Sequence, residues 1–144
     1  MIHVNSITHS VFTTIASDTT IVSSGVTVCL NDIFNTDPNL TPWVGVYFNG
    51  SDIEPRRIGA SNPWRAAYDI RVYVQDSSHE SGEAANDLLD RLTFPVLASV
   101  NSNKSLDNTV NIITNIQVDP FQRDIEDEIW MFTNEITINA EGDV

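Results

Sequence analysis

The sequence of 144 residues has little positive charge, because six arginines and one lysine face 20 carboxylates and leave a formal net charge of −13. Free DNA carries charge of the same sign, so we expect it to be repelled. Charged residues make up only 19% of the chain and hydrophobic residues 41%. That balance is typical of a globular chain, and the length predicts a single domain over residues 1–144.

Cysteine is also scarce. Cys29 is the single cysteine of the sequence, so an internal disulfide is excluded. Its position in the apolar run Val26–Leu30 predicts a buried thiol. No segment has the length and apolarity of a membrane span, and the first eighteen residues lack the cationic start and apolar core of a signal peptide. We therefore expect a protein that is made in a cytoplasm and has no membrane partner.

Catalytic motifs are missing as well: there is no glycine-rich phosphate loop, CxxC, HExxH or GxSxG. His79 and Glu83 would suit a metal, but a solvated helix face explains them better. The carboxylate run Asp124–Glu128 lacks the glycine and alternating ligands of a calcium loop, and an exposed hairpin explains it better. We predict that the protein is not an enzyme and binds neither cofactor nor metal.

Apolar periodicity predicts the elements of the first half of the chain. Helical spacing indicates a helix over about Ser6–Ser17, and short β-rich runs indicate strands at Val26–Leu30 and Val44–Phe48. Strict alternation over Trp64–Gln75 predicts a strand with one apolar and one polar face. The polar face of this strand carries Arg65, Asp69 and Arg71.

The second half of the chain contains a helix and two more strands. The helix is predicted over about Glu80–Leu92, and Pro95 predicts a kink or a stop before Val96–Val100, because proline removes a backbone donor. Alternating runs at 110–118 and 130–138 predict an antiparallel pair with a hairpin connection at 119–124. Too few helices are present to cross over between all strands. We therefore expect an α+β fold, with an antiparallel or mixed β-sheet of about four to five strands and two main helices packed on one face.

Residues 49–63 join two predicted strands and form an extended loop that is long for a hairpin connection. The loop places two of the seven basic residues side by side. Either these arginines pair with the carboxylates of their own loop, or the loop is an arm that meets the acidic face of a neighbouring subunit. The predicted interface residues are Asp52, Ile53, Glu54, Pro55, Arg56, Arg57 and Ile58 on the loop, with Arg65, Asp69 and Arg71 on the strand after it.

The sequence resembles the tail terminator, or tail completion, family of long-tailed bacteriophages. The resemblance rests on the string Pro42–Phe48, the loop with Arg56 and Arg57, the strand Trp64–Val74, the helix after Glu80 and the two closing strands. It is a similarity of layout that extends from the first helix to Ala140, because this family has no short diagnostic motif.

The resemblance implies a structural virion protein that forms a homo-hexameric ring on the tail tube, ends tube polymerisation and provides the tail-side joint to the head connector. Its partners would be further copies of itself, the tail tube protein, the head–tail connector or stopper protein and, in a contractile tail, the sheath protein. DNA would pass through the lumen without specific binding. The chain would be located in the tail or neck of the virion, after assembly in the host cytoplasm.

Two alternatives remain open at the level of sequence. The first is another neck or tail structural protein, such as a head-completion or stopper protein or a tail tube subunit; a tube subunit would polymerise without limit. The second is an enzyme or small-ligand binder with a pocket between helix and sheet. Such a pocket requires convergent polar groups, and the sequence offers no candidate cluster.

Overall fold

The computed structural model describes residues 4–30, 35–55, 64–107, 110 and 112–143. These residues form three α-helices, one short 3₁₀ turn and five β-strands. In chain order they are α1 (Val4–Ala16), α2 (Thr19–Val22), β1 (Thr27–Leu30), the 3₁₀ turn (Pro38–Leu40), β2 (Trp43–Pro55), β3 (Trp64–Ser78), α3 (Gly82–Asn101), β4 (Ile112–Glu126) and β5 (Ile129–Asp143).

The five strands form one mixed sheet in the order β1-β2-β3-β5-β4. The β1 strand runs parallel to β2, and the other three neighbouring pairs are antiparallel, including the predicted C-terminal pair. The helices α1 and α3 pack against the sheet and against each other. The predicted α+β fold, with a mixed sheet and two main helices on one face, is confirmed.

The core lies between this sheet and the two helices. Every second residue of β3 from Ala66 to Val74 is buried, which confirms the predicted apolar face of this strand. The neighbouring strand β5 contributes buried Ile136 and Ile138 to the same layer. The helices cover this layer with side chains at helical spacing, and these are Ile7, Val11 and Ile15 of α1 and Leu89, Val96 and Val100 of α3.

The helix α3 is longer than predicted. It begins after the N-cap Ser81, whose hydroxyl accepts a hydrogen bond from the Ala84 amide at 3.0 Å. The predicted stop before Val96 is wrong, because the helix contains Pro95 and continues to Asn101. The buried residues that follow the proline pack on the sheet and offset the lost backbone bond. No helix in the described part of the chain is long and apolar enough to cross a membrane.

The hairpin between β4 and β5 lies further along the chain than predicted. The connection expected at 119–124 is wrong, since β4 continues through Pro120 to Glu126. The turn consists of Asp127 and Glu128, with φ of 51° and 63°, the backbone sign of a two-residue primed turn. Proline is tolerated inside β4 because β4 is an edge strand, where a missing amide donor interrupts no second ladder.

Both edge strands are more exposed than the sequence predicts. Cys29, expected to be buried, is half-buried because it lies in the edge strand β1. Ile112 and Val118 of β4 are 50% and 38% exposed. The alternation predicted for the run at 110–118 is interrupted in β4, because a register shift between Ile113 and Asn115 places Ile112 opposite Glu141, whereas Ile116 and Val118 lie opposite the buried Ile138 and Ile136. The helices also pack mainly on the inner strands and leave the edge of the sheet partly uncovered.

Candidate subunit interface

The predicted loop at 49–63 begins as a strand. Residues Ser51–Pro55 pair with Tyr68–Trp64 of β3, after a register shift next to Asn49. Its first part is therefore corrected from loop to strand, which we call the β2 extension (Asn49–Pro55). Residues 56–63 lie outside the described residues. They include Arg56, Arg57 and Ile58. The question of whether these arginines pair with carboxylates of their own loop therefore also falls outside the described residues.

The β2 extension is open to solvent. Ser51, Asp52, Ile53, Glu54 and Pro55 are all exposed, and Ile53 is 57% exposed. Because successive strand residues point to opposite faces, exposure of all five means that neither face of the extension is covered. Within the described residues β1 pairs with β2 only as far as Val46, so the outer edge of the extension has no strand partner there.

The face of the sheet turned away from α1 and α3, which we call the open face, carries the predicted polar residues. Arg65, Asp69 and Arg71 alternate with the buried residues of β3, as predicted. Cross-strand neighbours share a face, so the register adds residues of β2 and β5 to this set. The charged residues of the open face on these three strands whose side chains the structure describes are Asp52, Glu54, Arg65, Asp69, Arg71, Glu135 and Glu141.

Arg71 binds two carboxylates at the centre of the open face. Its Nε donates to Asp69 Oδ1 at 2.8 Å, its Nη2 to Asp69 Oδ2 at 2.9 Å, and its Nη1 to Glu135 Oε1 at 2.7 Å. Such forked, charge-assisted bonds fix both partners in orientation. Glu135 was missed at the level of sequence, because its approach to Arg71 depends on how β3 and β5 align.

Two tyrosines and an asparagine extend this network. Tyr73 donates to Glu135 Oε2 at 2.8 Å, and Asn49 Nδ2 donates to Asp69 Oδ2 at 3.0 Å. The Tyr47 hydroxyl donates to Asn49 Oδ1 at 3.1 Å, and its ring stacks on Tyr73 with centroids 5.7 Å apart. We call this set, together with Arg71, Asp69 and Glu135, the Arg71 network.

The pKa shifts within the network follow from these contacts. The hydrogen bond from Arg71 lowers the pKa of Asp69 below its usual range, and the same bond is the main cause of a raised pKa for Arg71. Burial, with the bonds to Tyr47 and Glu135, raises the pKa of Tyr73. Asp69 and Arg71 therefore remain charged and paired near neutral pH, as expected of a rigid ionic surface.

A second ion-pair group lies near the end of the β2 extension. The Arg65 Nη2 is 3.2 Å from Glu54 Oε1 and 3.1 Å from Glu141 Oε1, so it bridges the strands on both sides. The Glu54 side chain is 62% exposed. Solvent screens such pairs, so this group contributes little stability and serves mainly to fix the three strands side by side.

A concavity of about 400 Å³ lies beside these ion pairs, on the open face. Two cross-strand rows form it, Asp52–Ala67–Glu141 and Gly50–Asp69–Asn139. Gly50 and Ala67 in these rows have small side chains or none, which leaves room for the concavity. The carboxylates of Asp52, Asp69 and Glu141 line it. Asp52 forms no hydrogen bond or ion pair with any described residue, whereas Asp69 and Glu141 are paired with Arg71 and Arg65.

Carboxylates collect at the end of the molecule where α3 begins. Gly82 lies against the Trp130 ring, which brings the start of α3 next to the β4–β5 hairpin. Four exposed carboxylates belong to the helix region and four to the hairpin, as predicted for the run at 124–128. They are Glu80, Glu83, Asp87 and Asp90, with Asp124, Glu126, Asp127 and Glu128, and we call this surface the acidic end. His79 is exposed beside it, and no group of three or more metal-binding side chains occurs among the described residues.

Comparisons with known proteins add little to this geometry. The chain matches no protein-family model and no curated protein. Among solved structures it is similar to a chain of "Virion of native gene transfer agent (GTA) particle", with a TM-score of 0.43 and 11% sequence identity over 94% of each chain. At that TM-score the similarity carries no argument about what this chain does.

Proposed function

We propose that this chain is a structural subunit of a phage-like virion, and specifically a tail terminator that forms a homo-hexameric ring on the end of a tail tube. The observation that carries the proposal is the β2 extension, a strand exposed on both faces with a free outer edge in the described residues. Free strand edges and uncovered sheet faces are surfaces on which a second protein completes the structure.

A closed ring follows when the two contacting surfaces of one subunit are different. The β2 extension lies towards one end of the sheet order, and the edge strand β4 forms the other end. Contacts between unlike surfaces repeat from copy to copy and close where the rotation allows. The element order, which is helix, strands, helix and two strands, agrees with the layout of the terminator family that the sequence resembles.

The acidic end suits a passage for DNA. Eight exposed carboxylates per copy, four from the helix region and four from the hairpin, repel the DNA backbone. In the proposed ring DNA slides past without binding, and the remaining contacts are to the tail tube, the head connector and, in a contractile tail, the sheath. This role requires no catalysis, and we propose that the chain is not an enzyme.

Tail length in particles that lack this chain tests the proposal. A terminator that stops tube growth leaves overlong, headless tails when it is removed, and supply of the unchanged chain restores tails of uniform length. Electron microscopy of the particles measures both. Tails of normal length that join heads in the absence of the chain would contradict the proposal.

A further inference from the structure

We infer that a concavity between the end of α3 and the start of β4 binds the β2 extension of a second copy of this chain, with Asp52 beside Lys104 and Ile53 against isoleucines of β4. The inference rests on the proposed function, because it names the two surfaces that meet in the ring. We call this surface the β4 concavity, and its lining includes Asn101, Lys104, Ile112, Ile113 and Ile116.

The β4 concavity is apolar along β4 and has a cation at its rim. Its volume is about 380 Å³. The Ile113 amide donates a hydrogen bond to the Lys104 carbonyl at 2.8 Å, which holds the turn after α3 beside the start of β4. Ile112 is 50% exposed, and the segment 112–118 contains no charged residue. An apolar side chain of an acidic partner can therefore be buried here without charge repulsion.

The β2 extension is the matching surface on the other copy. Ile53 is 57% exposed, and the carboxylates of Asp52 and Glu54 flank it in the sequence. Pairing with β3 holds these side chains on a strand, so little order has to be gained when a partner binds. An exposed isoleucine beside a carboxylate is complementary to an apolar concavity with a lysine at its rim.

Charge selects this pairing among the surfaces of an acidic chain. Each copy carries a formal net charge of −13, so two copies repel each other over most of their surfaces. Lys104 is the only lysine, and its ammonium group forms no ion pair with any described residue. The same is true of the Asp52 carboxylate. The contact brings these two groups together, and such complementarity fixes which surfaces meet.

The sheet prevents the same contact within one copy. Asp52, Ala67, Glu141 and Ile112 are neighbours in one cross-strand row, so β3 and β5 separate the β2 extension from β4. Three strand spacings of about 4.8 Å place the Cα atoms of Asp52 and Ile112 roughly 14 Å apart. Each copy therefore offers the two halves of the contact to two different neighbours, the arrangement that a ring of identical subunits needs.

Disulfide trapping between two variants tests the contact. In a Cys29→Ser background, Ile53→Cys and Ile112→Cys each place a thiol at an exposed position without changing any charge. Mixed at high concentration under oxidising conditions, the two chains are expected to form a heterodimer on a non-reducing gel. The matched control replaces Ile112→Cys by Ile125→Cys, an exposed isoleucine at the far end of β4, and is expected to form several-fold less.

Charge reversal tests the chemistry of the same contact. Lys104→Glu in the Ile112→Cys chain should lower the heterodimer yield several-fold, and Asp52→Lys in the Ile53→Cys chain should restore it. Arg91→Glu makes the same change in net charge at an exposed position on α3, and should leave the yield unchanged. Equal trapping with the Ile125→Cys control, or trapping indifferent to Lys104, would overturn the inference.

The remaining outcomes separate this inference from the proposed function. Dimers that the Ile53→Cys chain forms alone in equal yield would assign the contact to a two-fold pairing of β2 extensions, and the inference fails. Overlong tails without the chain, combined with no trapping, would leave the terminator role standing and remove only this contact. Normal tails combined with specific trapping would remove the terminator role and keep the contact between copies.

Discussion

The Arg71 guanidinium lies 2.7 Å from Glu135 Oε1 on the neighbouring strand, and it also donates hydrogen bonds to both carboxylate oxygens of Asp69 on its own strand. One cation therefore joins two carboxylates on a face that no helix covers. The Arg71 side chain is only 23% exposed, so the surrounding side chains shield the pairs from water. The ion pairs therefore hold this surface in one arrangement.

Removing the cation should leave two carboxylates facing each other. We expect Arg71→Met to lower the free energy of unfolding by about 1–3 kcal/mol, the cost of partly buried charged groups left without a partner. Arg65→Met is the matched control, because its ion pairs are more exposed, and it should cost less than about 1 kcal/mol. Urea unfolding followed by tryptophan fluorescence measures both. Equal losses for the two variants would contradict this ranking.

The hydroxyl of Tyr73 should stabilise the fold measurably. Tyr73 is 3% exposed and donates to Glu135 at 2.8 Å. Tyr73→Phe should therefore lower the free energy of unfolding by about 1.5–3 kcal/mol in urea unfolding, since it removes a part-buried hydrogen bond to a charged group. Tyr47→Phe removes an exposed bond to Asn49 and should cost less. A Tyr73→Phe protein as stable as the unchanged chain would show that the hydroxyl contributes nothing.

Asp76 should destabilise the folded state at neutral pH. Burial raises its pKa above the usual 3.8, so the penalty is absent where both states are protonated and grows as pH rises through the raised pKa. Asp76→Asn retains an acceptor for the Ser77 amide at 2.8 Å. It should stabilise the chain near pH 7 by on the order of a few tenths of a kcal/mol after solvent screening, and have no effect near pH 3.

Asp69 provides the opposite control for that pH dependence. Its pKa is lowered by Arg71, so its contribution to stability is full above the unfolded pKa and is lost as pH falls through the lowered folded pKa. Asp69→Asn should therefore destabilise the chain near pH 7, and the difference should shrink in acid. Unfolding curves over a pH series measure both variants. If Asp76→Asn and Asp69→Asn changed the free energy of unfolding in the same direction near pH 7, the assigned pKa shifts would be contradicted.

The β4–β5 turn holds two side chains in an unfavourable backbone conformation. Asp127 and Glu128 both have positive φ, which favours asparagine followed by glycine. Asp127→Asn with Glu128→Gly should stabilise the chain by about 1 kcal/mol. Asp127→Asn with Glu128→Gln removes the same charges without introducing glycine, so it should raise the free energy of unfolding by less. Equal stability of the two double variants would assign the effect to charge.

Local patterns predicted the parts of the fold that depend on local geometry. The alternation along β3 placed Arg65, Asp69 and Arg71 on one face correctly, because strand periodicity is a property of the chain itself. Their partner Glu135 could not be predicted, since it depends on the register between β3 and β5. That register is set by the whole core.

Tertiary pairing overrode local preference in the β2 extension. The residues Asn49 to Asp52 have the composition of a turn, and they were predicted as the start of a loop. In the structure they continue β2, because β3 offers a paired partner along its full length. The same effect carries β4 through Pro120.

The position of this chain along an assembled tail tests the account most directly. Antibody-gold labelling of intact particles under the electron microscope should place the label at one point, the end of the tail tube next to the head. Label distributed along the whole tail, as for a tube subunit, or no label on the tail at all, would contradict the account.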